Sequence, residues 1–515
     1  MRLVMMVLGL LGGCGSTPVP GKDTAGVEDV DTDVDVEDDT DGDTDTDTDT
    51  DADTDADTDA DTDEDRFDPF APRADTTEGI VSTSTDLDEV LEYGALEGAC
   101  DRYAADPSNR KKELLCGKEM FFYETFGTAG VPKGLVDILL RSFQEEVFGE
   151  AFEAYGLVPD PYSEDGLPLG LSVSDDGASV VFTCASCHFA ELPDGRYSIG
   201  APNHGYEYGM HNLALGVFPL AATGGLMQPV DPVAEARLQP LLDAYWADFG
   251  AQLQLVGWMA TMLGQEIPQF TTQNQRYYAE WDPGTMDFFI EPLPIDDGVH
   301  TVSKIQALWG IPTPAEEAEA GMAHAMLGCT GNTRSLNNFA RQFAGLGGGD
   351  IAAWGPDDVA PLVAYIESLD APDGPTTGPA QVQRGEDVFW SEGCIDCHAG
   401  PRGSGLELYD FVEIGTDDAM ERWMDPEADG TTLPGVDMGE DTITNQLKAP
   451  RLVGLWAMER FLHNGSVLSL EELLCVDGPR TPRTDDAMGN GGHTYGCDTL
   501  SIDEKLDLIA YLESH

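Results

Sequence analysis

Positive charge is what this sequence of 515 residues has least of: 26 lysines and arginines stand against 96 aspartates and glutamates, a formal net charge of −70. Nucleic-acid binding rests on Lys and Arg neutralising phosphates, so that class of partner is excluded and a basic or neutral one is favoured. Long apolar runs are missing too. No stretch past the N-terminus reaches the roughly 18 uninterrupted apolar residues of a membrane-spanning helix, so any contact with a bilayer needs another device. Cysteine is sparse, ten in all, and each can be accounted for by its setting.

Met1 to Leu11 carry one positive charge and a short apolar run, followed by Leu11-Gly12-Gly13-Cys14. This resembles a bacterial lipoprotein signal with its lipobox over residues 1–14, which leaves Cys14 as the lipidated first residue. An ordinary secretory signal is the alternative, and both lead out of the cytoplasm to a compartment where disulfides persist. The expected location is the bacterial cell envelope, anchored by lipid at the outer membrane or the periplasmic face. Residues 15–85 read as a disordered stalk. Within them Glu28 to Asp65 alternate Asp with Thr or Ala and contain no Lys or Arg, a composition that cannot bury enough surface to offset its ordering entropy. Calcium is a candidate ion for that run, bound diffusely, because the Gly and Glu punctuation of an EF-hand loop is absent. Removing its 22 acidic residues still leaves 48 net negative charges on the remainder.

Two short segments carry the chemistry. Cys184, Cys187 and His188 in VFTCASCHFA, and Cys394, Cys397 and His398 in VFWSEGCIDCHAGP, each spell C-x-x-C-H. Thiols three residues apart on a tight turn reach the two vinyl groups of one porphyrin, and the adjacent imidazole then sits under the iron. Zinc would need further Cys or His pairs at short spacing, and none are present. Two c-type haems are therefore the expected cofactors, with His188 and His398 as proximal ligands. Five cysteines remain, so at least one stays free or pairs elsewhere; the local pairs Cys100 with Cys116 and Cys475 with Cys497, with Cys329 left over, are the expectation among the connectivities that the sequence allows.

Helical periodicity runs from Asp86 to about Gly156, strongest in LVDILLRSFQEEVFGEAFEAY, and again from Val233 to Leu263. LSVSDDGASVVF predicts a hairpin leading into the first motif. Leu192 to Gly209 predict a loop around the haem edge, and SKIQALWGI and Ser335 to Phe343 predict helices. PLVAYIESL, ending at Leu369, and DLIAYLESH, ending at His515, are an internal repeat, each closing a segment with one haem motif. The fold class that follows is mainly α: two cytochrome c-like haem domains with long loops, residues 86–371 with insertions and 378–515, behind the acidic stalk. The second domain opens with a helix from Pro379 to Glu392, with Gly385 permitting close approach and Phe389 filling the crossing.

The segment LKAPRLVGLWAMERFLHNGSVLSLEELL resembles the bacterial di-haem cytochrome c peroxidases and, more closely, the di-haem rubber oxygenases on the same scaffold. GNGGHTYGCDTLSIDEKLDLIAYLES is similar to the closing motif of the rubber-oxygenase branch. That resemblance implies His493 as second axial ligand of the C-terminal haem, with Met438 or Met458 as the thioether rivals. It also implies a place near that haem for His463. For the first iron, His204, Met210, His211, His300 and His324 are all open candidates for the sixth position. Trp309, and after it Trp390, are candidates for a place between the irons, with core packing as the alternative. The implied activity is an oxidoreductase of peroxidase type: one haem relays an electron and the other activates the O–O bond of peroxide, with a small redox protein as partner. A dioxygenase cleaving an apolar polyene is a variant of that reading, and a lipid-anchored electron carrier without a substrate site is the alternative class.

Overall fold

Two pairs of crossed helices set the frame. The computed structural model describes residues 69–71, 73, 76–128, 130–134, 136–137, 155–217, 221, 229–248, 272–287, 302–322, 327–331, 333, 335–346, 349–424, 446–483 and 487–515. The helices that position the motifs are α1 (Arg110–Tyr123), α2 (Cys184–His188), α3 (Leu336–Leu346), α4 (Ala360–Glu367), α5 (Pro379–Ser391), α6 (Cys394–Cys397) and α7 (Ile502–Leu512). Local chemistry starts them where expected. The Asn109 side chain accepts from the Lys112 amide at the head of α1, Pro379 occupies the first turn of α5, and Ser501 with Glu504 forms a capping box on α7.

Helix α1 packs across α4, and α5 across α7. Both crossings use one device. A Cβ on Gly117 would lie 2.0 Å from the Pro361 carbonyl oxygen and 2.5 Å from Tyr365 Cβ; on Gly385 it would lie 2.0 Å from the Asp507 oxygen and 2.6 Å from Tyr511 Cβ. Four residues after each glycine a phenylalanine fills the crossing, Phe121 with its ring 6.3 Å from Tyr365 and Phe389 with its ring 5.5 Å from Tyr511. The repeated PLVAYIESL and DLIAYLESH segments are thus equivalent halves of equivalent crossings. The opening helix of the first pair had no assigned place within the helical stretch 86–156; its signal was the Gly-x-x-x-Phe spacing it shares with α5.

Four small antiparallel sheets accompany the helices among the described residues. Strands β1 (Thr83–Ser84), β2 (Val131–Pro132), β3 (Leu171–Val173), β4 (Ser179–Phe182), β5 (Phe189–Glu191), β6 (Tyr197–Ile199), β7 (Thr285–Asp287), β8 (Val302–Lys304), β9 (Leu408–Asp410) and β10 (Gln446–Lys448) are ordered β1-β6-β5, β2-β4-β3, β7-β8 and β9-β10. The hairpin expected in LSVSDDGASVVF forms as β3 and β4, with Leu171 opposite Phe182.

Two expectations change. Leu192 to Gly209 is not all loop, because the Pro193-Asp194-Gly195 turn folds the chain back as β5 and β6, and Leu192 donates its amide to the Arg196 carbonyl at 2.7 Å. SKIQALWGI is not helical. It runs from β8 into extended chain, since its amides are taken by distant carbonyls: Ile305 bonds Gly284, Leu308 bonds Gly200 and Gly310 bonds Leu369, so the i to i−4 ladder has no use for them. The helix expected at Ser335 to Phe343 is α3.

Described residues between 69 and 85, counted with the stalk in the sequence, pack on folded chain. Phe70 stacks on His515 and meets Phe389 and Tyr511 edge-on. The lipobox, Cys14, the acidic run and most of the 135–154 periodicity lie outside the described residues, as does the 249–263 end of the second apolar stretch. Among the described residues no helix is long and apolar enough to cross a membrane. The expected disulfides are formed, Cys100 with Cys116 and Cys475 with Cys497, and Cys329 is free and buried.

Gly385→Ala forces a methyl into the Asp507 carbonyl. The expected loss is about 1–3 kcal/mol of stability, read from the urea midpoint, with Gly117→Ala matching it; no change at either site would show that the helices do not meet there.

Candidate functional site

Each C-x-x-C-H turn is built so that its side chains face a cavity. At the first, Thr183 precedes α2 in extended conformation and fixes itself by donating from Oγ1 to the Phe122 carbonyl at 2.9 Å. The end of the turn is closed by the following loop: Gly200 donates to the His188 carbonyl and Asn203 to the Cys187 carbonyl, both at 2.8 Å. At the second, Gly393 enters α6 in the left-handed region and His398 ends it. His398 Nδ1 donates to the Gly403 carbonyl at 2.6 Å. Because a carbonyl only accepts, this bond fixes the proton on Nδ1 and leaves the Nε2 lone pair for a metal.

The two cavities measure about 200 Å³ and about 530 Å³. The smaller is lined by Cys184, Cys187 and His188, with Phe126, Phe182 and Tyr206 among its apolar walls. The larger is lined by Cys394, Cys397 and His398, and also by His463, Met458 and His493. All four motif thiols are free. Burial pushes Cys184 up to about 12 and Cys187 and Cys394 up to about 11, so they are held as neutral thiols in apolar surroundings. These donor sets fit covalently held haem: two thiols and one imidazole on a turn, opening on an enclosed and mostly apolar space.

His493, implied by the family resemblance, lies in the wall of the larger cavity together with His398. It adopts φ +45°, and its Nδ1 is buried without a hydrogen bond among the described residues. The loop that carries it is stitched from two sides. Arg480 donates to the carbonyls of Asn490, Gly492 and His493. Asn464 of the His-Asn-Gly-Ser motif donates to those of Ala487 and Gly489. That motif therefore places the loop that carries His493 through its Asn464, while its His463 lines the cavity with Nδ1 3.5 Å from Thr416 Oγ1. Met458 is in the same wall, and Met438 lies outside the described residues.

The first cavity is different. His188 is its one lining histidine among the described residues. His204 has both nitrogens engaged, Nδ1 accepting from the Glu459 amide at 3.0 Å and Nε2 3.2 Å from the Ile305 carbonyl, so it cannot also bind iron. His211 sits 2.9 Å from the Tyr206 hydroxyl and stacks on Tyr155, and Met210 accepts from Arg237; neither lines the cavity. His300 and His324 lie outside the described residues. Met286, which sequence reasoning passed over, does line it. Trp309 is fully buried and donates to the Ile199 carbonyl at 2.9 Å. Trp309 and Trp390 line neither cavity, so Trp309 has the packing role.

Sequence reasoning also passed over three cations. Lys304, Lys448 and Arg451 line both cavities, together with Gln306, Ala307 and Cys329. Burial holds Lys304 down to about 8, Lys448 to about 7 and Arg451 to about 10. The available signal was the rarity of Lys and Arg in the chain, against which their place in the apolar stretches SKIQALWGI and LKAPRLVGLW stands out.

No family model matches this chain, and no curated protein matches it. Two solved structures share partial similarity. One is hydrazine synthase of Kuenenia stuttgartiensis, pressurised with xenon, at 19% identity over 46% of this chain and 79% of that one, TM-score 0.29. The other is a MauG-like protein associated with microbial copper homeostasis, at 18% identity over 41% of this chain and 72% of that one, TM-score 0.25. At these scores the likeness assigns neither fold nor activity.

Burial pulls His188, His463 and His493 down to about 4 and His204 and His211 to about 3. The unfolded chain takes up these protons near pH 6.5 while the folded chain refuses them. Their contribution to stability is therefore complete above pH 6.5 and is lost as the pH falls through the folded values. The urea midpoint of the haem-free chain is expected to drop between pH 7 and 4.5, and His211→Phe to make that slope shallower. An unchanged slope would mean that His211 is not buried as a neutral ring.

Proposed function

We propose that this chain is an exported di-haem c-type cytochrome acting as an oxidoreductase of peroxidase type. The carrying observation is the asymmetry of the two cavities: the larger offers imidazoles from His398 and His493, while the smaller has His188 as its one lining histidine among the described residues. When bound, haem iron supplies one-electron transfer and, where the protein leaves a coordination position free, activation of an O–O bond.

The residues have separate tasks in this reading. Cys184 and Cys187, and Cys394 and Cys397, tether the porphyrins. His188 and His398 would each hold an iron, and His493, in the wall of the larger cavity with His398, would supply that site with a second imidazole and suit it to relaying electrons. Phe126, Phe182 and Tyr206 keep bulk water from the N-terminal site, where peroxide is the substrate. The lipobox at Cys14 tethers the protein to a membrane of the cell envelope, and the acidic surface suits a basic or neutral redox protein as partner. One observation favours the rival reading of a plain electron carrier: the Met286 thioether in the smaller cavity is a donor that could close that position too.

Protein matured in a bacterium that attaches c-type haem is expected to show an intact mass with two haems and a ferric spectrum mixing low-spin and high-spin signals. The high-spin part should respond to cyanide or peroxide, and His493→Ala should turn the low-spin site high-spin. A bare chain mass would end the haem reading. A wholly low-spin spectrum that ignores cyanide, converted to responsive by Met286→Ala, would establish the carrier instead.

A further inference from the structure

The two cavities share a wall, and the wall is cationic. Among the other described residues, buried cations are answered in two ways, by a carboxylate or by a pair of carbonyls. Lys118 pairs with Glu92 at 2.8 Å, Arg73 pairs with Glu316 at 2.9 Å, and Lys505 donates to the carbonyls of Cys475 at 3.0 Å and Cys497 at 2.7 Å. In the wall, Arg451 is held the second way, donating to the carbonyls of Trp309 at 3.0 Å and Ala307 at 2.7 Å, whereas Lys304, among the described residues, donates to the Arg460 carbonyl at 3.4 Å and lies over the face of Phe461. Among the described residues neither pairs with a carboxylate. Lys448 lies close enough for the charges of Lys304 and Arg451 to act on it. In the same wall Gln306 Nε2 donates to Cys329 Sγ at 2.6 Å.

Three basic side chains lining two mostly apolar cavities suit an anion carried by whatever fills those cavities. A c-type haem brings two, because its vinyl groups are consumed by the thiols while its propionate carboxylates remain. We propose that Lys304, Lys448 and Arg451 form one anion seat common to both cavities, occupied by propionates of both porphyrins, so that the two irons share an electrostatic environment. This inference rests on the haem reading above. Ferric iron carries one more positive charge than ferrous, so nearby cations favour reduction, and removing one from a shared seat must disfavour it on both sides.

The test is a spectroelectrochemical titration of the full chain carrying both haems, with Lys448→Met beside Lys448→Arg. In Lys448→Met both midpoints should fall, each by a several-fold to tenfold shift in the reduced-to-oxidised ratio, a tenfold shift being about 59 mV for one electron. Lys448→Arg should hold both near their starting values. Lys304→Met should repeat the double fall and serves where Lys448→Met does not fold. With two haems confirmed by mass, movement of one midpoint alone or of neither overturns the shared seat. Inorganic phosphate added to the unsubstituted protein should leave both midpoints in place, and a shift would mean the seat takes free anions rather than propionates. A bare chain mass overturns the haem reading and this inference together.

Discussion

The structure depends on how closely two pairs of helices approach. Where α1 meets α4, and α5 meets α7, backbone touches backbone at a glycine, and an aromatic pair fills the space beside it. Each contact fixes the start of the segment that runs into a C-x-x-C-H turn. In the second half, α5 leads through Gly393 directly into α6. In the first half Thr183, at the head of α2, is hydrogen-bonded to the carbonyl of Phe122 in α1. A motif of five residues has no stable geometry of its own. Its two thiols and one imidazole point into a common space because the flanking backbone is held, and the crossing holds it.

On that frame the two halves diverge in what faces the proximal histidine. In the C-terminal half the chain spends a whole loop, tied by Arg480 and Asn464, on bringing His493 to the cavity. The carbonyls that receive those bonds belong to residues outside any strand or helix, whose ladders cannot satisfy them. The N-terminal half has no such loop among its described residues, and its two described histidines near the cavity are used structurally, His204 as a bridge between Ile305 and Glu459 and His211 as a stacking ring. A duplicated scaffold thus carries unlike environments, which is the condition for giving two similar groups different tasks.

What could be read in the sequence was what depends on neighbours along the chain. The hairpin of β3 and β4 and the opening helix of the second half, with Gly385 and Phe389 in their roles, follow from local spacing, and both disulfides join the nearest of the pairings the sequence left open. Long-range satisfaction of backbone groups could not be read. SKIQALWGI has the apolar spacing of a helix, yet its amides are claimed by Gly200, Gly284 and Leu369, residues with no mark of that use in the sequence. The same limit hid the wall of cations, since nothing local to Lys304 announces that Lys448 and Arg451 will lie beside it. The family resemblance supplied His493, whose setting of glycines carries no ligand signature by itself.

The strong acidity of the chain sharpens the meaning of that wall. In a protein of balanced charge, a buried lysine finds a carboxylate by ordinary chance of packing. Here acidic residues outnumber basic ones by more than three to one, yet among the described residues no carboxylate pairs with Lys304 or Arg451. Desolvation alone pushes both cations toward losing their protons, and a fold that gained nothing from their charge would be better served by an apolar side chain of the same volume. Retaining three basic groups between two apolar cavities is consistent with stability that is complete only when those cavities are filled by something negative. Under the haem reading proposed above, the groups that would meet this charge are the ones the four motif cysteines would hold.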